Sequence, residues 1–101
     1  MVVAMDEWLD AEWIEERARA FHALSNPRRL EVMMVILAQN GHEVSVSDIQ
    51  AALPAISQPS LSQHLTRLRE AKLTYVRQQG QWRHIRAAKP QALKALLCDI
   101  L

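Results

Sequence analysis

Apolar residues recur at helical spacing up to Leu73, alternate with period two from Thr74 to Arg86, and return to helical spacing after Pro90. A segment patterned for a 3.6-residue turn buries no continuous face as a strand, and the reverse also holds. The chain is therefore confined to a helical body carrying one hairpin. An isolated hairpin is marginal in water, so this one must pack on the helices.

The helical part divides by its caps and breakers. Asp6 to Ala23 reads as a first helix, with Ile14, Ala18 and Phe21 in one stripe and Trp8 and Trp13 in the same segment. Two large aromatics on a terminal helix of so short a chain read as packing or dimer contacts rather than a ligand box. In SNPRRLEVMMVILAQ, Ser25 or Asn26 can cap and Pro27 fits the first turn. That helix is apolar nearly all round, as a central core element is, and Met33 and Met34 read as core filler. Asn40-Gly41 ends it through a left-handed residue. In VSVSDIQAAL, residues 44–53, Ser45 or Ser47 can cap, Asp48 suits the first turn, and Pro54 halts the helix. A fourth helix runs from Ser57 to Leu73, with Ser57 as cap, Pro59 tolerated in the first turn, and Leu61, Leu65 and Leu68 as its apolar stripe.

Two strands follow, Thr74–Arg77 and Trp82–Arg86, joined by residues 78–81, where Gly80 supplies a positive φ. The last helix, residues 91–101, carries Leu93, Leu96, Leu97 and Ile100 and is too short to stand alone, so a second subunit is its natural cover. The order α-α-α-α-β-β-α predicts a mainly α domain with a small β-hairpin wing, a winged helix-turn-helix. No repeat, linker or low-complexity segment divides it, so residues 1–101 are read as one domain.

Half the residues are hydrophobic, which excludes a disordered chain. With Cys98 the single cysteine, no disulfide can form within the chain, and a reducing compartment fits. The opening MVVAMDEW lacks the basic and apolar regions of a signal peptide, and no apolar run approaches the ~20 residues that span a bilayer. A cytoplasmic protein with no membrane partner is expected. The net charge of +1 hides a split: residues 1–16 carry six carboxylates and no base, whereas residues 57–89 carry seven Lys or Arg against Glu70 alone. A basic half can attract phosphate while an acidic half holds the rest of the molecule away from it.

The fourth helix sets Ser60, Gln63, His64 and Arg67 opposite its leucines. These are hydrogen-bond formers without a common catalytic geometry. An ordinary amphipathic surface helix would carry such a face too, but a capped, polar N-terminus suits close approach to base edges and phosphates. No His-x-x-His pair, glycine-rich phosphate loop or nucleophile–base spacing occurs, and Ser62 near His64 is helix-surface geometry rather than a dyad. The chain is read as a non-enzyme.

The segments ALSNPRRLEVMMVIL, VSVSDIQAAL, ISQPSLSQHLTRLREAKL and VRQQGQWRHIR resemble the ArsR/SmtB family of bacterial and archaeal transcriptional repressors, over about residues 15–95. The resemblance implies a homodimer built on the first and last helices, residues 1–22 and 90–101. It further implies a regulator of double-stranded DNA, with helix 57–73 and wing 76–86 applied to a roughly palindromic operator. On that basis Ser57, Gln58, Ser60, Ser62, Gln63 and His64 are candidate groove-facing residues. Arg67, Arg77, Gln79 and Arg83 are candidate phosphate or minor-groove contacts. The rival reading is a winged-helix module for protein–protein contact, which leaves the basic wing less well explained. The turn Leu53–Ser57 is one residue longer than the usual family spacing, which bears on the angle between its two helices.

The family's metal ligands are missing. Val44, Ser45, Val46 and Ser47 stand where cysteines would be, and residues 90–101 hold no histidine and only Asp99. Serine hydroxyls are poor ligands for soft or borderline metals, so no metal or other cofactor is expected. Cys98, beside Leu97 and Ile100, reads as a small buried hydrophobe. A redox role would need a disulfide between subunits whose last helices meet. The sequence does not identify an effector.

Overall fold

A computed structural model describes residues 8–100. Its elements are α1 (Ala11–Leu24), α2 (Pro27–Leu37), β1 (Val44–Ser45), α3 (Val46–Ala52), α4 (Gln58–Glu70), β2 (Thr74–Gln79), β3 (Trp82–Ala87) and α5 (Pro90–Lys94), which continues as a π-helical turn, Ala95–Ile100. Each of the first four helices starts on a side chain that accepts the N–H of the residue three ahead: Asp10 from Trp13, Asn26 from Arg29, Ser45 from Asp48 and Ser57 from Ser60. Asp10 sets the start of α1; the expected helix from Asp6 is interrupted at Leu9 and Asp10, Trp8 before them being helical, and Asp6 and Glu7 lie outside the described residues.

The core is aliphatic. Val32, Met33, Ile36 and Leu37 of α2 meet Ile49, Leu61, Leu65 and Leu68 of α3 and α4, and Val44 and Ile85 close the sheet side. Each such side chain contributes roughly 1.5–3 kcal/mol by leaving water. Met34 is 38% exposed, so only Met33 of the pair fills the core; one helical step turns its neighbour to a side that no other element covers.

α4 ends at Glu70, three residues before the expected Leu73. Lys72 takes the left-handed conformation at φ 62°. Its N–H bonds to the Arg69 carbonyl and that of Leu73 to the Leu68 carbonyl, the paired closure that ends many helices. The buried Leu68 and Leu73 supply the accompanying apolar contact.

The sheet has three strands in the order β1-β3-β2, all antiparallel. The two-residue β1, in a stretch read only for its helix cap, pairs Val44 with Ile85 and Ser45 with His84. β2 runs on to Gln79, so the turn shrinks from the expected four residues to Gly80-Gln81, with Gly80 at φ 61°. Positive φ at the first of two turn positions is the II′ pattern, whose twist matches that of paired strands.

The long α3–α4 turn is braced from within. The Gln50 side-chain amide donates to the carbonyl of Ile56 at 2.6 Å and more weakly to that of Leu53 at 3.4 Å. Ile56 itself is buried, so the extra residue is accommodated without opening the core.

The molecule measures 51 × 26 × 23 Å. Only Ala23 and Leu24 of α1 are buried. The expected stripe of Ile14, Ala18 and Phe21 lies exposed, together with Trp8, Leu9 and Trp13. Cys98 is exposed too, contrary to its reading as a buried hydrophobe: the last turn runs past the half-buried Leu96 and Leu97, and nothing among the described residues covers it.

Candidate nucleic-acid interface

The N-terminal half of α4, the start of α3 and the tip of the wing enclose one groove. Val46, Gln58 and Arg83 line it throughout, with Pro59, Leu61 and Ser62 of α4 toward one end and Ser47 of α3 and Gln81 and Trp82 of the wing toward the other. A neighbouring shallow surface carries Pro59, Ser62, Gln63, Thr66 and Arg67, one turn further along α4. Gln58, Ser62, Gln63, Arg67 and Arg83 therefore lie along one continuous polar surface. Its chemistry is amides and hydroxyls that can read base edges, flanked by guanidiniums that suit phosphate.

The other candidates stand apart from that surface or are already engaged. The Ser57 hydroxyl accepts the Ser60 N–H and is bonded to the Ser60 hydroxyl at 2.9 Å, so both serines serve the helix start. His64 is half-buried beside that surface, in a cavity that α4 forms with α1 and α2. Burial, and then the charge of Arg29, hold its imidazole below the usual histidine value. Arg77 grips Glu43: Nε lies 2.8 Å from Oε2 and Nη2 3.0 Å from Oε1, while Nη1 donates to Gln79 at 3.1 Å. That guanidinium holds the Glu43 carboxyl below its ordinary value. Arg77 thus spends its hydrogen bonds within the protein and takes up the Gln79 side-chain oxygen, and a phosphate at Arg77 would have to displace a bidentate carboxylate.

Trp82, Ser47, Gln81 and Thr66 were missed as site residues. Trp82 is 51% exposed, which is unusual for so large an apolar ring. Its position directly after the glycine turn was the available signal. Nothing in the sequence marks Glu43 as the partner of a residue 34 positions on. The charge split is also bridged at one point, where Lys72 Nζ lies 3.2 Å from Glu16.

No group of three or more His, Cys, Asp or Glu side chains among the described residues is placed to hold a metal ion. Among the same residues no helix is long and apolar enough to cross a membrane.

No family model matches the chain. It is 41% identical over 66 residues to the arsenical resistance operon repressor of Escherichia coli, covering 65% of this chain and 54% of that protein. It is 37% identical over 83 residues to the arsenic resistance transcriptional regulator ArsR1 of Pseudomonas putida, covering 80% of this chain and 62% of that protein. The chain thus spans little more than half the length of these two curated relatives. Its fold is similar to the solution structure of a homodimeric winged helix-turn-helix DNA-binding domain from Mycobacterium bovis, described as a possible ArsR-family transcriptional regulator. That likeness has a TM-score of 0.76 and 26% identity, and covers 89% of this chain and 82% of the other.

Proposed function

Because this chain belongs to the ArsR/SmtB family of winged helix-turn-helix proteins, we propose that it is a homodimeric repressor of transcription that binds a palindromic operator in double-stranded DNA. The observation that carries the reading is the continuous polar surface from Arg67 along α4 to Arg83 on the wing. Gln58 and Gln63 would read base edges, each able to hold an adenine through two hydrogen bonds. Ser62 would adapt to base or backbone, and Arg67 and Arg83 would take phosphates. Ser57 and Ser60 act by fixing the helix start, where N–H groups can meet a phosphate. Arg77 contributes only when released from Glu43, and Gln79 offers the amide N–H groups that its bond to Arg77 leaves open.

The exposed Trp8 and Leu9 before α1 and Trp13, Ile14 and Phe21 on it, together with the half-covered Leu96 and Leu97, are the surface offered to a second copy. Large apolar patches left open on a monomer mark interaction sites. Two copies would present two α4 helices, matching the two halves of a palindrome. The role is non-catalytic and places the protein in the cytoplasm.

The experiment is titration of fluorescent duplexes, one carrying the DNA upstream of the protein's own gene and one of scrambled sequence. Specific binding should exceed scrambled binding. Gln63→Ala should narrow the gap by roughly 1–3 kcal/mol while changing scrambled binding little. Equal binding to both duplexes would remove the operator reading.

A further inference from the structure

A cavity of about 420 Å³ lies behind α4, where α4 meets α1 and the first turn of α2. Its titratable walls are Arg19 and His22 from α1, Arg29 from α2, and His64, Arg67 and Glu70 from α4. Three guanidiniums face one carboxylate. Among the described residues none of Arg19, Arg29 and Arg67 forms an ion pair. Arg29 is aimed by its own backbone contact: Nε donates to the Ala23 carbonyl, which leaves both terminal amino groups free of a protein acceptor among the described residues. The space matches that of small-molecule sites.

We propose that this cavity binds a small oxyanion-bearing molecule, a carboxylate or phosphate compound, held by Arg19, Arg29 and Arg67. Guanidiniums in a fork suit either group, and a partly enclosed site strengthens the attraction. His64 supports the choice of an anion, since its imidazole is disfavoured as a cation by burial and by Arg29. An oxyanion between them would reverse that field and let His64 take up a proton. Gln63 and Arg67 line both this cavity and the outer surface of α4. On the DNA-binding reading given above, an occupant would therefore compete with DNA for the same two side chains.

The test follows the His64 imidazole by NMR in the full chain, titrated with sodium phosphate and separately with sodium citrate, with sodium chloride holding ionic strength constant. A saturable change should appear with at least one probe and raise the His64 midpoint by about one pH unit. Arg19→Gln, on the exposed face of α1 and outside the proposed DNA surface, should abolish it. The probe that saturates at lower concentration identifies the phosphate or the carboxylate class. In the duplex assay the same probe should weaken binding of the wild type and leave Arg19→Gln unaffected. Absence of saturation with both probes would overturn the site. So would a flattened salt dependence of DNA binding in Arg19→Gln without saturation at His64, which would give the cavity to the DNA backbone. Saturation at His64 in a protein that binds no duplex would uphold the site and overturn the DNA reading.

Discussion

Arg83 and Arg77 sit on neighbouring strands of one hairpin, with Gln78 opposite Arg83 and His84 opposite Arg77. Sequence alone makes them equal candidates for phosphate, yet their surroundings differ. Arg83 opens into the groove beside α4 and forms no ion pair among the described residues. Arg77 is held by both oxygens of Glu43. Each phosphate neutralised on B-DNA contributes about 0.9 to the logarithmic salt slope. A dimer losing two Arg83 contacts should therefore flatten its slope by about 1.8, or about twelvefold in affinity across a fourfold rise in salt. Arg77→Ala should change the slope little, because Glu43 already neutralises that charge. Glu43→Gln should instead steepen it, by up to about 1.8, by freeing two Arg77 side chains. The assay is fluorescence anisotropy on the upstream duplex from about 50 to about 200 mM potassium chloride. Equal flattening by Arg83→Ala and Arg77→Ala, with no change in Glu43→Gln, would refute the view that Glu43 withholds Arg77 from DNA.

Three further outcomes follow from local structure. Gln50→Ala strips a donor from the Ile56 and Leu53 carbonyls and should cost about 1–3 kcal/mol in urea unfolding. Ser57→Ala should cost about 1 kcal/mol, and Ser57→Asp, which still caps, should restore most of it; unchanged stability in the alanine variant would remove the capping role. The folded state lowers the His64 value, so the unfolded chain binds the proton more readily. Stability should therefore fall as pH drops below the ordinary imidazole value of about 6.5. His64→Gln should lose that contribution to the pH dependence, as thermal melts at stepped pH would reveal.

Element type and order were largely readable because they rest on local chemistry. Asn26, Ser45 and Ser57 are caps within a single turn, and Gly80 is a local requirement of a tight hairpin. The misses share a different origin. β1 is two residues whose strand character comes only from pairing with β3, about 40 positions away, and no period can be read from so short a stretch. Lys72 carries no helix-stop chemistry of its own; Leu73 reaching back to the Leu68 carbonyl makes the stop. Exposure of Met34 and Cys98 depends on what covers a face, which periodicity does not supply. In the candidate interface, Gln63 and Arg67 could be named from residue type and helix phase, whereas Gln58, Ser62 and Arg83 rest on the family resemblance. The engagement of Arg77 by Glu43, and the turning of His64 toward Arg29, are tertiary facts.

Ser45 belongs to two elements at once, pairing with His84 in the sheet and capping α3 through its side chain. The hairpin and the first helix of the helix-turn-helix are thus pinned at one residue, and Gln50 fixes the next joint to α4. Reader and wing form a caliper with a locked jaw. On the DNA-binding reading proposed above, the spacing between the contacts of α4 and those of the hairpin tip is then set by the protein. Inserting one base pair between those two contacts in an operator half-site should therefore abolish one of them outright rather than weaken both slightly.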